Sequence, residues 1–169
     1  MNYREIVLVE DSLDEQLLSL NGIRKGDLSS HVLICRDGES AIALLLDAAR
    51  QPPALVVLDY HLPKLSGLQV LMALRAVPRT RTVPVVIVSC ALTDAQIREC
   101  YEQGANCCMI KSTDVAQYVD EITLAVRQWL NATDSAEPWP ERCEPARLAL
   151  SDIPPPVPYG HAPFTSPTA

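Results

Sequence analysis

Five short runs in this chain contain almost nothing but apolar residues, and they restrict what it can fold into. IVLV (6–9), HVLIC (31–35), LVVLD (55–59), VVIVS (85–89) and CCMI (107–110) are rich in Val and Ile and do not alternate between apolar and polar positions. A strand with one wet face alternates, whereas a strand covered on both faces reads as a continuous apolar run. Between the runs, the stretches near 12–24, 38–49, 66–76, 94–103 and 114–130 carry apolar residues at helical spacing. Several open on helix-start chemistry: Asp37 before GESAIALLL, Ser66 before GLQVLMALR, and Thr93-Asp94 before AQIREC. A short oxygen-bearing side chain there accepts from the amides that a first helical turn leaves unpaired. The last stretch places Val115, Tyr118, Val119, Ile122, Ala125, Val126 and Trp129 on one broad stripe. Five strand–helix units in this order predict a doubly wound α/β fold, with a five-stranded parallel sheet and right-handed crossovers.

Beyond Asn131 the composition changes, and nine of the 14 prolines fall in the final 39 residues. We therefore divide the chain into a folded unit, 1–130, and a proline-rich acidic tail, 131–169, that cannot build its own core. Trp139, Tyr159 and Phe164 are the tail's candidate anchors to a folded surface. The net charge of −7 argues against a nucleic-acid footprint and against a polybasic membrane patch. No run approaches the roughly 18 apolar residues of a membrane span. The opening Met1-Asn2-Tyr3-Arg4-Glu5 leads straight into the first apolar run, without a signal peptide's long apolar stretch and cleavage site. A cytoplasmic protein is expected. The six cysteines form no CxxC pair, and several sit inside apolar runs such as VIVSCA and ANCCMI, so reduced thiols are expected.

In folds of this kind ligands sit at the carboxyl ends of the strands, near the switch in strand order. The ends carry Glu10-Asp11, Asp59, Ser89 and Lys111. Carboxylates gathered there repel one another by about 4 kcal/mol at 4 Å and an effective dielectric of 20. A hard divalent cation relieves that repulsion, and an oxygen-rich, water-retaining site suits Mg²⁺. Asp59 is the candidate nucleophile, because a carboxylate can form an acyl phosphate in one in-line step. Lys111, with its amine at the open edge of the site, and Ser89 would spread the phosphoryl charge.

With these residues in order, the chain resembles response-regulator receiver domains over about Arg4–Leu130. VLVEDS resembles the family's acidic pair, and LVVLDYHLPKLSGLQVL its phosphoacceptor strand and following loop, with Pro63 and Gly67. VVIVSCA places Ser89 at the Ser/Thr position, and GANCCMIK places Lys111 at the lysine position. The resemblance implies a flavodoxin-like fold with Asp59 as phosphoacceptor. It also implies Mg²⁺ bound by Asp11, Asp59 and the backbone carbonyl of His61, with Glu10 acting through water. The imidazole of His61 would line the mouth of the site. A sensor histidine kinase would donate the phosphoryl group, and the chain would catalyse only its own phosphorylation and dephosphorylation. RDGESAIALL and GANCC look closest to stand-alone regulators paired with bacterial phytochromes.

Two positions depart from the family: Cys108 stands where an aromatic switch residue is usual, and Ser112 follows Lys111 in place of proline. A cis Lys111–Ser112 bond would cost roughly 3–4 kcal/mol, so a rearranged trans loop is expected. The family's usual contact face would carry Ile97, Tyr101, Tyr118, Ile122 and Trp129 here. Only part of that set is free of the sheet, and the free part predicts a homodimer present without phosphate, extended by the tail. Output through protein contacts is expected, since a proline-rich tail forms no DNA-binding helix pair. A phosphatase of the haloacid dehalogenase type would want a second acid where His61 stands, and a dinucleotide-binding domain a Gly-rich turn where EDSLDE stands. A pseudo-receiver, folded but never phosphorylated, would not need the complete set of site residues.

Overall fold

The computed structural model describes residues 4–134. Each apolar run forms a strand: β1 (Glu5–Val9), β2 (His31–Cys35), β3 (Leu55–Asp59), β4 (Val85–Ser89) and β5 (Cys107–Ile110). They make one parallel sheet in the order β2-β1-β3-β4-β5. The helices are α1 (Leu13–Gly26), α2 (Gly38–Leu45), α3 (Gly67–Ala76), α4 (Asp94–Glu102) and α5 (Val115–Asp134). Asp37, Ser66 and Thr93 are the N-caps of α2, α3 and α4, each accepting the amide three residues on. α2 ends at Leu45 rather than 49, because Asp47 folds back: its carboxylate accepts the Ala49 amide at 2.9 Å and its carbonyl the Arg50 amide at 3.2 Å. α5 continues to Asp134, past the expected boundary at 130.

Side chains alternate across a strand, so the sheet separates two cores. Val7, Val9, Val56, Leu58, Val85 and Ile87 face α2, α3 and α4, where Leu71, Leu74 and Cys100 complete the packing. Ile6, Leu8, Val57, Val86 and Val88 face α1 and α5, against Ile23, Ile122, Val126 and Trp129. Each fully buried Leu or Ile stabilises the fold by roughly 1.5–3 kcal/mol. β2 departs from expectation: it is an edge strand, with His31 and Ile34 exposed, so its apolar run is covered only in part. Val115, expected in the α5 stripe, is also exposed.

The α1–α5 contact is made close by two glycines. A Cβ on Gly22 would lie 2.7 Å from Cβ and Cγ2 of Ile122, and one on Gly26 would lie 2.8 Å from Cγ1 of Val126. Thr123 seals the seam, its hydroxyl donating to the Gly22 carbonyl at 3.1 Å.

The expected contact face is corrected. Ile97, Tyr101, Tyr118 and Ile122, together with Trp129, are all buried within this chain, at 6% exposure or less. Helical periodicity turns them onto the sheet, and the two tyrosines are also tied inward. The Tyr101 hydroxyl accepts the Cys108 amide at 3.1 Å, and the Tyr118 and Ser19 hydroxyls are 2.8 Å apart. None of them is available to a second copy.

Cys35, Cys90, Cys100, Cys107 and Cys108 are free thiols. No described helix is long and apolar enough to cross a membrane. Cys143 and the candidate anchors Trp139, Tyr159 and Phe164 lie outside the described residues.

Candidate functional site

After β1 the chain crosses to β2 on one side, and after β2 it returns to β3 on the other, which opens a crevice at the carboxyl ends of β1 and β3. Glu10 follows β1 and is fully buried. Its Oε1 accepts the Ser12 amide at 3.1 Å, its Oε2 accepts from Lys111 Nζ at 2.7 Å, and its carbonyl accepts from Gln16 Nε2 at 2.7 Å. Asp59 ends β3 at 5% exposure. Its Oδ1 accepts the His61 amide at 3.3 Å, and its Oδ2 lies 3.6 Å from Lys111 Nζ. The loop after β3 must return close to Asp59, and Gly67 permits it: a Cβ there would meet the Asp59 carbonyl at 2.2 Å. The Gly67 amide, donated to the Tyr60 carbonyl at 2.9 Å, locks the return.

Ser89 ends β4, buried, and its hydroxyl donates to the Ala91 carbonyl at 3.0 Å. His61 is exposed, with Nε2 3.4 Å from that same carbonyl, so its imidazole reaches across the mouth of the crevice. Lys111, anchored by its amide to the Ser89 carbonyl at 2.8 Å, is not at the open edge: its side chain is only 6% exposed. The burial follows from its company, since it is enclosed by Glu10, Glu15 and Asp59.

Glu15 is the residue that sequence reasoning missed. It lies in the first turn of α1, pairs with Lys111 and brings a carboxylate oxygen within 4.8 Å of those of Glu10 and Asp59. Asp11, expected among the acids of the site, is exposed beside this trio, near enough for its charge to act on Asp59.

Burial pushes the Glu10 carboxyl up to about 7, against the pull of Lys111. Burial likewise raises Asp59; the Lys111 ammonium and the His61 amide oppose the rise, and the charges of Glu15 and Asp11 add to it. Burial works against ionisation at Glu15 as well, but Lys111 outweighs it and holds that carboxyl below its ordinary value. Lys111 would lose its proton more easily for being buried, yet its glutamate partners and Asp59 outweigh this and keep it an ammonium. The donor set is all oxygen, with more negative than positive charge, which is the composition that holds a hard divalent cation.

The two atypical positions flank this centre. Cys108 is buried at 2% exposure, its amide capped by Tyr101. No peptide bond among the described residues is cis, as expected at Lys111–Ser112. Ser112 shapes the loop instead, donating to Gln117 Oε1 and accepting the Asp114 amide, both at 3.1 Å.

Residues 6–123 match the response regulator receiver domain family. The chain is 30% identical over 139 residues to the probable methanogenesis regulatory protein FilR2 of Methanothrix harundinacea, covering 79% of this chain and 88% of that one. It is also 30% identical over 114 residues to the response regulator Rcp1 of Synechocystis, covering 65% and 78%. The Mn²⁺-bound form of Rcp1 superposes with a TM-score of 0.70 at 26% identity, over 81% of this chain and 99% of that one. The phosphorylated cyanobacterial phytochrome response regulator RcpA superposes with a TM-score of 0.72 at 28% identity, over 77% and 96%.

Proposed function

The chain belongs to the response regulator receiver family, and from that premise we propose that it takes a phosphoryl group from a sensor histidine kinase onto Asp59. One observation carries the assignment of the residue: Asp59 is a buried carboxylate at the end of β3, with a buried ammonium 3.6 Å away and a backbone amide on its other oxygen. In the transfer, an Asp59 oxygen bonds to phosphorus as the phosphorus–nitrogen bond of the kinase phosphohistidine breaks, and the imidazole leaves. The His61 amide holds the carboxylate in place. Lys111 supplies positive charge where the phosphoryl oxygens arrive, and Ser89 supplies a hydroxyl once it turns from the Ala91 carbonyl.

Mg²⁺ is the cofactor that the oxygen donors fit: Asp59, Asp11 and the His61 carbonyl would hold it, Glu10 would act through water, and the ion would neutralise the phosphoryl oxygens. Likeness to the phytochrome response regulator RcpA and to the bacteriophytochrome response regulator AtBRR supports a place in a phytochrome light-sensing pathway, with a bacteriophytochrome kinase as donor and protein contacts as output.

Incubation with an autophosphorylated kinase, radiolabelled on phosphate, tests the reading. Label should pass to the wild type in Mg²⁺ and not to Asp59→Asn, and it should be labile as acyl phosphates are. Acid-stable label on Ser89 or another hydroxyl would falsify it.

A further inference from the structure

We propose that Glu15 is a positioning residue that keeps Lys111 parked on α1 until a phosphoryl group on Asp59 draws it away. The inference rests on the function proposed above and adds a control on it.

The first observation is a helix start that is only half made. At α3 and α4 the residue three places after the cap, Gln69 or Gln96, reaches back to the cap amide and closes a reciprocal box. α1 has the same pattern in Ser12-Leu13-Asp14-Glu15, and the Ser12 hydroxyl accepts the Glu15 amide at 3.5 Å. Its other half is absent, because the Ser12 amide is taken by Glu10 Oε1 at 3.1 Å. The Glu15 carboxylate is thereby released from its local role and points into the crevice, where Lys111 binds it.

The second observation concerns the amine. Lys111 has three N–H donors. It spends two of them, on Glu10 at 2.7 Å and on Glu15, which hold the ammonium against α1 and leave Asp59 Oδ2 at 3.6 Å, beyond hydrogen-bond reach. The two glutamates are unequal partners. Glu10 is 1% exposed and cannot be rehydrated in place, whereas Glu15 is 32% exposed on the first turn of a helix. When three charged oxygens appear on Asp59, the Glu15 contact is the one that can break, since water takes over that carboxylate. Cys90 Sγ, 3.7 Å from Glu15 Oε1, offers it a weak donor on the outer side. Glu15 therefore competes with the phosphoryl group for Lys111 and sets how readily the phosphorylated state forms.

Calorimetric titration of the full chain with beryllofluoride in Mg²⁺ tests this, with thermal melts to verify folding of each variant. E15Q removes the charge; E15D keeps it on a side chain one methylene shorter, which no longer reaches Lys111. Both should bind beryllofluoride roughly fivefold more tightly than wild type, the worth of one partly exposed ion pair. The gain should vanish when K111A is combined with either. Unchanged affinity in both variants overturns the proposal. So does a gain in E15Q alone, or one that survives K111A, since either is a bulk charge effect. Weaker Mg²⁺ binding by E15Q without beryllofluoride also overturns it, because Glu15 would then be a metal ligand. A wild type that binds no beryllofluoride, or an Asp59→Asn chain that binds it normally, rejects the proposed function itself.

Discussion

Glu10 uses both carboxylate oxygens, one on the α1 cap amide and one on Lys111, and it does so fully buried. Its carboxyl ionises near 7 in the fold, against an ordinary 4.5 in the unfolded chain. Between those values the folded state holds a proton that the unfolded state has lost, so stability falls as pH rises through the window, by up to about 3 kcal/mol. Asp59, also raised, acts in the same direction. Asp27, Asp37 and Glu15 are lowered, so their contributions are complete above the ordinary carboxyl range and do not change from pH 5 to 7.5. The raised Lys111 contributes below its ordinary 10.5 and is constant here too. Urea midpoints in EDTA should therefore drop between pH 5 and 7.5, and Glu10→Gln should flatten the slope; an equal slope in both proteins refutes the account. Glu10, Asp59 and Lys111 were readable from their positions at strand ends. Glu15 was not, because Ser12-Leu13-Asp14-Glu15 has a complete local explanation as a helix start, and only the fold reveals that Glu10 has displaced it.

At the scale of elements, strand positions were legible to within a residue, because Val- and Ile-rich runs buried on both faces admit few other readings. The caps at Asp37, Ser66 and Thr93 were legible for a local reason, since each depends on residues three apart. The end of α2 was not: Ala48 and Ala49 favour helix, and the turn that stops it is made by Asp47 and held by Arg79, which donates to the Leu45, Asp47 and Arg50 carbonyls. The closeness of α1 and α5 was equally hidden, because a glycine inside a helical pattern reads as a weakness. A Cβ at Gly22 would stand 2.7 Å from Ile122 and 2.8 Å from the Val119 carbonyl, and a backbone oxygen cannot rotate aside. Gly22→Ala should therefore destabilise by about 1–2 kcal/mol, after the roughly 1 kcal/mol that alanine contributes to the helix. A melting temperature lowered by roughly 5 °C, with phosphoryl transfer intact, is the expected result; an unchanged or raised one means that the helices part at no cost.

For the whole molecule, two cores on one sheet followed from five strand–helix units, but the outer surface did not. A contact face carried over from the family fell on Ile97, Tyr101, Tyr118 and Ile122, which this chain uses to hold α4 and α5 on the sheet. Among the described residues, the large apolar side chains that do face outward are Leu13 and Leu17 on α1, Leu28, Ile34, Met72, Ile110, and Val115 and Leu124 on α5. They lie on α1, β2, α3, β5 and α5 and on the loop after α1, and none of them belongs to the face expected to dimerise. Sedimentation velocity at micromolar concentration should show a monomer for a chain ending at Asp134. A dimer of that fragment would show that scattered contacts suffice, and a dimer of the full chain alone would assign association to 135–169. The Gly22–Ile122 and Gly26–Val126 contacts also leave a mark outside any single protein. Where two side chains share one volume, inheritance ties them together, so related sequences with alanine at 22 should carry a residue without the branched Cγ2, alanine or glycine, at 122. In such lineages the two positions change as a pair or not at all.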